Sequence, residues 1–364
     1  MINGKFFKTY LLPGFIFQSI TIGGGYGTGR ELIEFFMTNG PLNGLLGMCV
    51  STLIWGLILA LSFEVARVTQ SFNYRTFIKA HLGKAWVSFE VVYLIGLVLV
   101  LSVMGAAAGT IMREMIGVPN LVGIMVMIVL VGLLSYFGTS LIEKTLAYWS
   151  IALYIVFSIL VVTSFVLFGD AIKTNIRIAT PDADWFIDGI RYAGYNIGLV
   201  PAMIYVARHF NSRKEALVSG ALGGVIAMVP GVFIYIAMVG IYPEVLASSI
   251  PVDLVLNKIG WDWFTLLFRL ILFGTFIETG VGLVHGFNER VAGVLQEKGS
   301  KLSSVWRSIF AVGLLAIAVF VADAIGIIQL IAQGYGTLTW GYIVVYVIPV
   351  LILGSYTLWG HKKN

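Results

Sequence analysis

The amino-acid sequence predicts an all-α integral membrane protein with ten transmembrane helices. Of its 364 residues, 59% are hydrophobic and only 11% are charged, and the mean hydropathy is +0.94. Soluble domains carry about 25% charged residues, so most of this surface cannot face water. This composition excludes a soluble enzyme, a nucleic-acid-binding module and a disordered chain. The single cysteine, Cys49, excludes a disulfide framework and a cysteine-based metal site within the chain.

Ten apolar stretches are close to or above the roughly 20 residues that a helix needs to cross a bilayer. They cover residues 10–37, 43–66, 85–112, 121–137, 145–168, 185–206, 216–241, 262–287, 304–322 and 338–358. No interval between them is long enough for a soluble domain, so residues 1–364 are predicted to form one transmembrane domain. The apolar segment 326–332 is too short to span and is expected to form a short helix at the outer surface.

The distribution of lysine and arginine predicts that both chain ends are cytoplasmic. With the N-terminus inside, sixteen of these residues fall in inside segments, and four fall in outside loops: Arg113, Lys173, Arg177 and Lys258. Cytoplasmic loops carry an excess of positive charge, and here the excess alternates from loop to loop as ten spans require. We therefore expect a protein of the cytoplasmic membrane that contacts the lipid bilayer and no nucleic acid. The oligomeric state stays open.

Span 1 is predicted to be broken near the middle of the membrane. The break comprises Gly23, Gly24, Gly25, Tyr26, Gly27, Thr28 and Gly29. Each glycine destabilises a helix by about 1 kcal/mol relative to alanine, so five glycines in seven residues interrupt it. Thr28 followed by Glu31 matches a capping box, which favours the start of a second half-helix. Because non-helical backbone at this depth must be buried or line a polar cavity, the break is a candidate solute-binding segment.

A second break is predicted in span 6. Its residues are Gly194, Tyr195, Asn196 and Gly198, followed by Pro201. Proline suits the first turn of a helix and disrupts its interior, so a new half-helix is expected near Leu199. Five spans separate the starts of the two broken spans, so span 6 crosses the membrane opposite to span 1. Such a chain is typical of an inverted-repeat transporter, with repeats at about 8–168 and 183–358.

An alternative reading of the glycines is that they only permit close helix packing. Glycine and proline are common in membrane helices, so this alternative stays open for span 6. It is favoured for Gly105 and Gly109 in span 3 and for Gly220 and Gly224 in span 7, which match the spacing of small residues at helix contacts.

The layout, the break at 23–31 and the Gly-Tyr-Asn-x-Gly motif at 194–198 resemble the LeuT-fold amino acid–polyamine–organocation superfamily. Within it they resemble the YkvI-type bacterial permeases. The resemblance implies alternating-access transport of a small solute, such as an amino acid or a related amine, in a pocket built by helices 1, 3, 6, 8 and 10. The candidate solute-binding residues are Gly23, Gly24, Gly25, Tyr26, Gly27, Tyr195, Asn196 and Gly198. No cofactor is expected beyond a coupling ion, sodium or a proton.

Span 8 carries the clearest candidates for ion coupling. Thr275, Glu278 and Thr279 lie on one helix face and offer oxygen ligands suited to a hard cation. A buried carboxyl can also carry a proton. The superfamily's sodium site combines helix 8 hydroxyls with helix 1 carbonyls, here near residues 20–23. Span 8 lacks an adjacent Ser/Thr pair, which favours the proton. Alternatively, the threonines bond their own helix and Glu278 pairs with a basic residue.

Arg30, within span 1, has two interpretations. It can form part of an outer gate above the pocket, or it can simply pair with Glu34 one helical turn away. Both are kept as hypotheses.

Other functional classes fit the sequence less well. The Gly-Tyr-Gly motifs at 25–27 and 334–336 lack the preceding Thr-Val of a potassium filter. No H-E-x-x-H, G-x-S-x-G or Cys/His cluster indicates an enzyme. The Asp-Pro-Gly and Met-Pro motifs of the superfamily's metal-ion branch are absent, so no metal site is expected. The function expected is secondary active transport of a small organic solute. A receptor that binds the solute without moving it stays open.

Overall fold

The computed structural model describes residues 4–136, 139–181, 183–325 and 327–360, and their regular secondary structure is entirely helical. The α-helices in chain order are α1 (Leu12–Thr21), α2 (Gly24–Gly27), α3 (Arg30–Phe35), α4 (Pro41–Thr69), α5 (Tyr74–Leu82), α6 (Trp86–Ile116), α7 (Asn120–Tyr136), α8 (Thr139–Asn175), α9 (Trp185–Ile197), α10 (Val200–Met203), α11 (Arg213–Val239), α12 (Pro251–Ile259), α13 (Asp262–Glu297), α14 (Ser304–Ile325), α15 (Ile327–Gln329), α16 (Gly336–Tyr342) and α17 (Ile348–Gly360). Three π-helical segments cover Phe7–Leu11, Leu330–Tyr335 and Ile343–Val347, and 3-10 turns cover Met37–Asn39, Gly83–Ala85, Ile204–His209 and Glu244–Ala247.

Seven helices of the described residues are long and apolar enough to cross a membrane. They are Pro41–Thr69, Gly83–Ile116, Ile151–Asn175, Arg213–Val239, Asp262–Gln296, Ser304–Ala322 and Leu330–Tyr356. Three predicted spans are missing from this set. Span 4 is the apolar helix α7, which has 17 residues and is slightly short. Spans 1 and 6 are divided into short helices, as their glycines predicted.

Span 1 is interrupted at the predicted position. Helix α1 ends at Thr21, Ile22 leaves helical geometry with ψ 81°, and Gly23 is extended. A single helical turn, α2, follows. Gly29 then takes φ +82°, a left-handed conformation that favours glycine, and α3 begins at Arg30. The glycine run therefore produces a helix, an extended link, one turn and a second helix.

The interruption in span 6 is milder. Helix α9 ends at Ile197, and α10 starts at Val200 with Pro201 in its first turn, close to the predicted Leu199. Gly198 keeps near-helical angles, φ −56° and ψ −18°, so the backbone changes its hydrogen-bond pattern here without becoming extended. After α10 the span continues as the 3-10 segment Ile204–His209.

Glycines bring α4 and α11 into close contact. A Cβ on Gly220 would lie 2.2 Å from the backbone nitrogen of Ala60, and one on Gly224 would lie 2.6 Å from that of Gly56. The packing interpretation of these two glycines is confirmed. It is also confirmed for Gly109, where an added Cβ would lie 2.8 Å from the Asn120 carbonyl oxygen. For Gly105 it is wrong, because the nearest atom to an added Cβ is the Met127 methyl carbon at 3.9 Å.

The outside of the bundle is apolar. Many large hydrophobic side chains are exposed, among them Leu53, Val166 and Phe320 at 73%, 77% and 78%. Such a surface is stable in lipid and not in water. One sequence expectation is wrong: segment 326–332 does not form a separate surface helix. From Ile327, α15 continues through a π-helical stretch into the last span, and residue 326 lies outside the described residues.

Candidate functional site

The two interruptions meet at a buried carboxyl group. Glu31, in the first turn of α3, is only 2% exposed, and Tyr195, near the end of α9, donates a hydrogen bond from its hydroxyl to this carboxylate. The carboxyl also lies against Gly25. The second half of span 1 and the first half of span 6 are thereby joined through the Glu31 carboxyl group.

Aromatic rings enclose this carboxyl. Tyr195 stacks on Tyr335, with ring centroids 4.5 Å apart, and on Phe35 at 5.9 Å. Tyr192 meets Tyr195 edge-on at 5.7 Å and stacks near Tyr26 at 6.5 Å. These five rings, including that of Tyr26, are at most 3% exposed. We call Glu31, Phe35, Tyr192, Tyr195 and Tyr335 the aromatic box.

No ion pair of the described residues includes Glu31. Its sequence neighbour Arg30 bonds the carboxylate of Glu34 at 2.9 Å and the backbone oxygens of Leu246 and Ser248 at 3.0 Å. Arg191 pairs with Asp188 at 2.9 Å. A buried ionisable group without an ion-pair partner is a candidate functional residue, because burying it is costly.

Arg30 makes the predicted pair and further contacts. It pairs with Glu34, and it also ties α3 to the loop between α11 and α12 through the two carbonyls of that loop. The pairing with Glu34 is confirmed, and the gate role of Arg30 stays a prediction.

The capping box predicted from Thr28 and Glu31 does not form. The N-cap of α3 is Gly29, and no side chain caps it. The Thr28 hydroxyl donates backwards, to the carbonyls of Gly24 at 2.7 Å and Gly25 at 3.1 Å. Glu31 is left to face Tyr195, a partner 164 residues away that no local pattern could reveal.

The glycines of the first interruption serve different contacts. A Cβ on Gly25 would lie 2.2 Å from the Glu31 carboxylate oxygen, so Gly25 makes room for that group. A Cβ on Gly24 would meet the backbone of Met104 in α6 at 2.9 Å, and one on Gly27 would meet Leu272 at 2.5 Å. Gly23 has no such neighbour within 3.8 Å.

Three other candidates use their polar groups elsewhere or have none. The Tyr26 hydroxyl donates to the carbonyl of Ala227 in α11 at 2.8 Å. Asn196 donates to the Tyr192 carbonyl of its own helix at 3.0 Å. Gly198 packs against the ring of Tyr342, and an added Cβ would lie 2.2 Å from the ring carbon Cζ. These three residues contact neighbouring helices and rings, and the hydrogen bonds that their side chains donate go to backbone carbonyls and not to Glu31.

Span 8 meets the end of α1. The Thr279 hydroxyl lies 2.9 Å from the carbonyl oxygens of both Ser19 and Ile22, which have lost their helical partners because α1 ends at Thr21. Glu278 is 4% exposed and lies beside the Ser19 side chain. Among the described residues it has no basic partner, contrary to the pairing alternative.

Thr275 differs from Thr279. Its hydroxyl donates to Ile271 in its own helix at 2.8 Å and accepts from the Trp149 indole at 3.1 Å. The helix-bonding alternative therefore describes Thr275 and not Thr279. The described residues contain no group of three or more His, Cys, Asp or Glu arranged to hold a metal ion.

Sequence reasoning missed the central residue of this site. Glu31 was interpreted as a cap, although a charged residue within a span is a functional candidate by its cost alone. Tyr192, Tyr335 and Phe35 carried no signal that distinguished them from the other aromatic residues of the spans.

Comparison with known proteins supports the resemblance. No protein-family model matches the chain. Its sequence is 25% identical over 349 residues to the uncharacterized membrane protein YkvI of Bacillus subtilis (strain 168), covering 93% of this chain and 94% of that protein. The expected likeness to YkvI-type membrane proteins is confirmed.

Solved structures of membrane transporters share the fold. MhsT in complex with L-phenylalanine aligns with TM-score 0.68 and 16% identity over 91% of this chain and 87% of its own. A mutant manganese transporter of Eremococcus coleocola aligns with TM-score 0.64 and 14% identity, over 94% of this chain and 78% of its own. A Na⁺-coupled sialic acid symporter aligns with TM-score 0.63 and 13% identity, also over 94% of this chain and 78% of its own. The chain therefore has the LeuT-type fold that these transporters share.

Proposed function

We propose that this protein is a secondary active transporter that moves a small organic solute bearing an amino group across the cytoplasmic membrane by alternating access. One observation carries the proposal: a buried carboxylate, Glu31, joins the two interrupted spans and has no cationic partner among the described ion pairs. A protonated amine would supply that partner. It would replace the Tyr195 hydroxyl on Glu31 and lie against the rings of the aromatic box, which favour cations through their π faces.

The position of Glu31 favours an amine over the carboxylate end of a solute. Helix N-termini in an interrupted span bind anions through free backbone amides. Here the chain's own carboxylate lies against Gly25 of the interruption. A second carboxylate from a zwitterion would be repelled, so amines without an acidic group are the preferred class, with amino acids as the alternative.

The architecture proposed for this cycle has ten spans, two inverted repeats at about 8–168 and 183–358, and cytoplasmic chain ends. The seven long helices, the shorter α7 and the two interrupted spans support that count. The charge distribution in the loops supports the orientation.

Reporter fusions test this topology. A fusion in the 207–215 loop should report a cytoplasmic location, and one in the 169–184 loop an external location. A fusion after Asn364, which lies outside the described residues, should report a cytoplasmic location. An external signal there would indicate an odd number of spans and would end the two-repeat proposal.

Ion coupling is proposed where span 8 meets the end of α1. The Thr279 hydroxyl lies 2.9 Å from the carbonyl oxygen of Ser19 and 2.9 Å from that of Ile22. Oxygen atoms of these kinds are suitable ligands for a sodium ion. Glu278, buried beside them, is the alternative carrier, holding a proton.

Two isosteric variants separate these ions. Thr279→Val removes the hydroxyl and should abolish sodium-dependent stabilisation if sodium is the coupling ion. Glu278→Gln removes the titratable group and should stop uptake driven by a pH gradient, while exchange at equal pH survives. Thermal unfolding with and without sodium, and uptake into proteoliposomes, give the two readouts. If both variants concentrate solute like the wild type, neither residue couples an ion.

Counterflow in proteoliposomes tests the transport function. Purified protein is first screened by thermal shift against primary, secondary and quaternary amines and amino acids. Vesicles loaded with the best stabiliser should then accumulate its labelled form. Binding without counterflow would favour the receptor alternative.

A further inference from the structure

A pocket lies on the side of the bundle that the loop charges assign to the cytoplasm. It has a volume of about 390 Å³ and lies between α5 and the last turns of α13. Its lining includes Asn73, Tyr74, Arg75, Lys79, Arg290 and Gln296. We infer that this pocket binds the phosphate group of an anionic phospholipid from the cytoplasmic leaflet.

Positive charge dominates the pocket. Three of the lining residues named above are cations, and Arg307 lies beside them through its 2.7 Å bond to Glu289. Glu289 pairs with Arg307, and Glu90, outside the lining, bonds Arg290. Among the described lining residues, three cations therefore stand against one carboxylate, Glu289. An anion with two or more acceptor oxygens would relieve this excess, and guanidinium groups bind phosphate with matched geometry.

The cations are already held in place. The Arg75 guanidinium lies 5.6 Å from the ring centre of Trp86, and the Lys79 ammonium lies 5.3 Å from the same ring. Arg290 is fixed by Glu90 and lies 5.8 Å from the ring of Phe287. Because the side chains are ordered before a ligand arrives, binding costs less conformational entropy.

The neighbouring surface indicates a lipid as the source of the phosphate. Helix α6 begins at Trp86 and exposes Val87, Val91 and Ile95 at 51%, 53% and 53%, spaced four residues apart on one face. Acyl chains can run along this face while the headgroup enters the pocket. Basic pockets on the cytoplasmic side of a membrane protein are suited to anionic lipids. The inference rests on the proposed orientation, but it is tested by binding and not by transport.

Lipid binding to the purified full-length protein tests this site. Phosphatidylglycerol in neutral detergent micelles should raise the unfolding temperature above that in phosphatidylcholine, and native mass spectrometry should show retained phosphatidylglycerol. Arg75→Gln with Lys79→Gln should weaken that binding on the order of tenfold. Gln296→Glu adds a carboxylate at an exposed lining position, keeps both cations, and should weaken binding as well.

The matched control removes the same charge elsewhere. Lys298→Gln with Lys301→Gln changes two exposed lysines outside the pocket lining and should bind phosphatidylglycerol like the wild type. Equal losses in both double variants, or no preference for phosphatidylglycerol in the wild type, would overturn the site. Inorganic phosphate is the third probe. If it alone stabilises the protein, with the same dependence on the variants, the lipid is the wrong source and the ligand is a soluble phosphate.

Discussion

Glu31→Gln should lower affinity for the transported amine by on the order of a hundredfold or more, because it removes the charge that pairs with the ammonium group. The fold should survive, since glutamine keeps the size and can still accept the Tyr195 hydrogen bond. Removing a lone buried carboxylate should also leave the unfolding temperature equal or higher. Ligand-induced thermal shift and counterflow on the same preparation measure both effects.

Tyr195→Phe is the matched control for this substitution. It removes the hydroxyl that bonds Glu31 and leaves the carboxylate in place. Stability should fall, because a buried acceptor loses its donor, while amine binding is kept or strengthened since the competing hydroxyl is gone. Equal amine affinity in wild type and Glu31→Gln would remove Glu31 from the solute site and with it the amine proposal.

Gly25→Ala should abolish amine binding in a protein that still inserts normally. The added methyl group would occupy space 2.2 Å from the Glu31 carboxylate oxygen, so the carboxylate must move out of the aromatic box. Because the neighbour that yields is a side chain and not backbone, the loss of stability should be small compared with the loss of affinity. Thermal shift with the amine, alongside size-exclusion profiles, separates the two.

Gly23→Ala and Gly24→Ala are the comparison variants for Gly25→Ala. A Cβ at Gly23 meets nothing closer than 3.8 Å, so this variant should bind like the wild type. A Cβ at Gly24 meets the α6 backbone at 2.9 Å, which cannot give way easily, so this variant should lose stability as well as affinity. Normal binding by Gly25→Ala would contradict the placement of Glu31.

The sequence alone is sufficient to predict much of the fold. Long apolar stretches identify the spans because bilayer thickness fixes their length. The glycine run of span 1 and Pro201 in span 6 mark the interruptions because both act on the local backbone. The continuous entry of α15 into the last span was missed, since an apolar run of seven residues has no feature that separates a surface helix from an extension.

The site was less predictable because its residues are joined by tertiary contacts. Glu31 matched a local capping pattern, and only the approach of α9 shows that its partner is Tyr195. Gly24 and Gly25 are identical in sequence terms, yet one faces the α6 backbone and the other faces a carboxylate. Gly105 has the spacing of a packing glycine, but α7 leaves space beside it. Neighbours of this kind are set by the whole bundle.

The glycine contacts between α4 and α11 have a mechanical consequence. With Gly220 and Gly224 seated on the backbone of α4, neither helix can slide along the other without steric collision. The two helices therefore form one rigid unit. The Tyr26 hydroxyl donates a hydrogen bond to the Ala227 carbonyl in α11, so the turn α2 is anchored to this unit. Helix α1 also packs on α11, since a Cβ on Gly14 would lie 3.2 Å from the Cα of Gly223. Both α1 and α2 are therefore held against α11, and the left-handed Gly29 is the point in span 1 where α3 can change its angle to them.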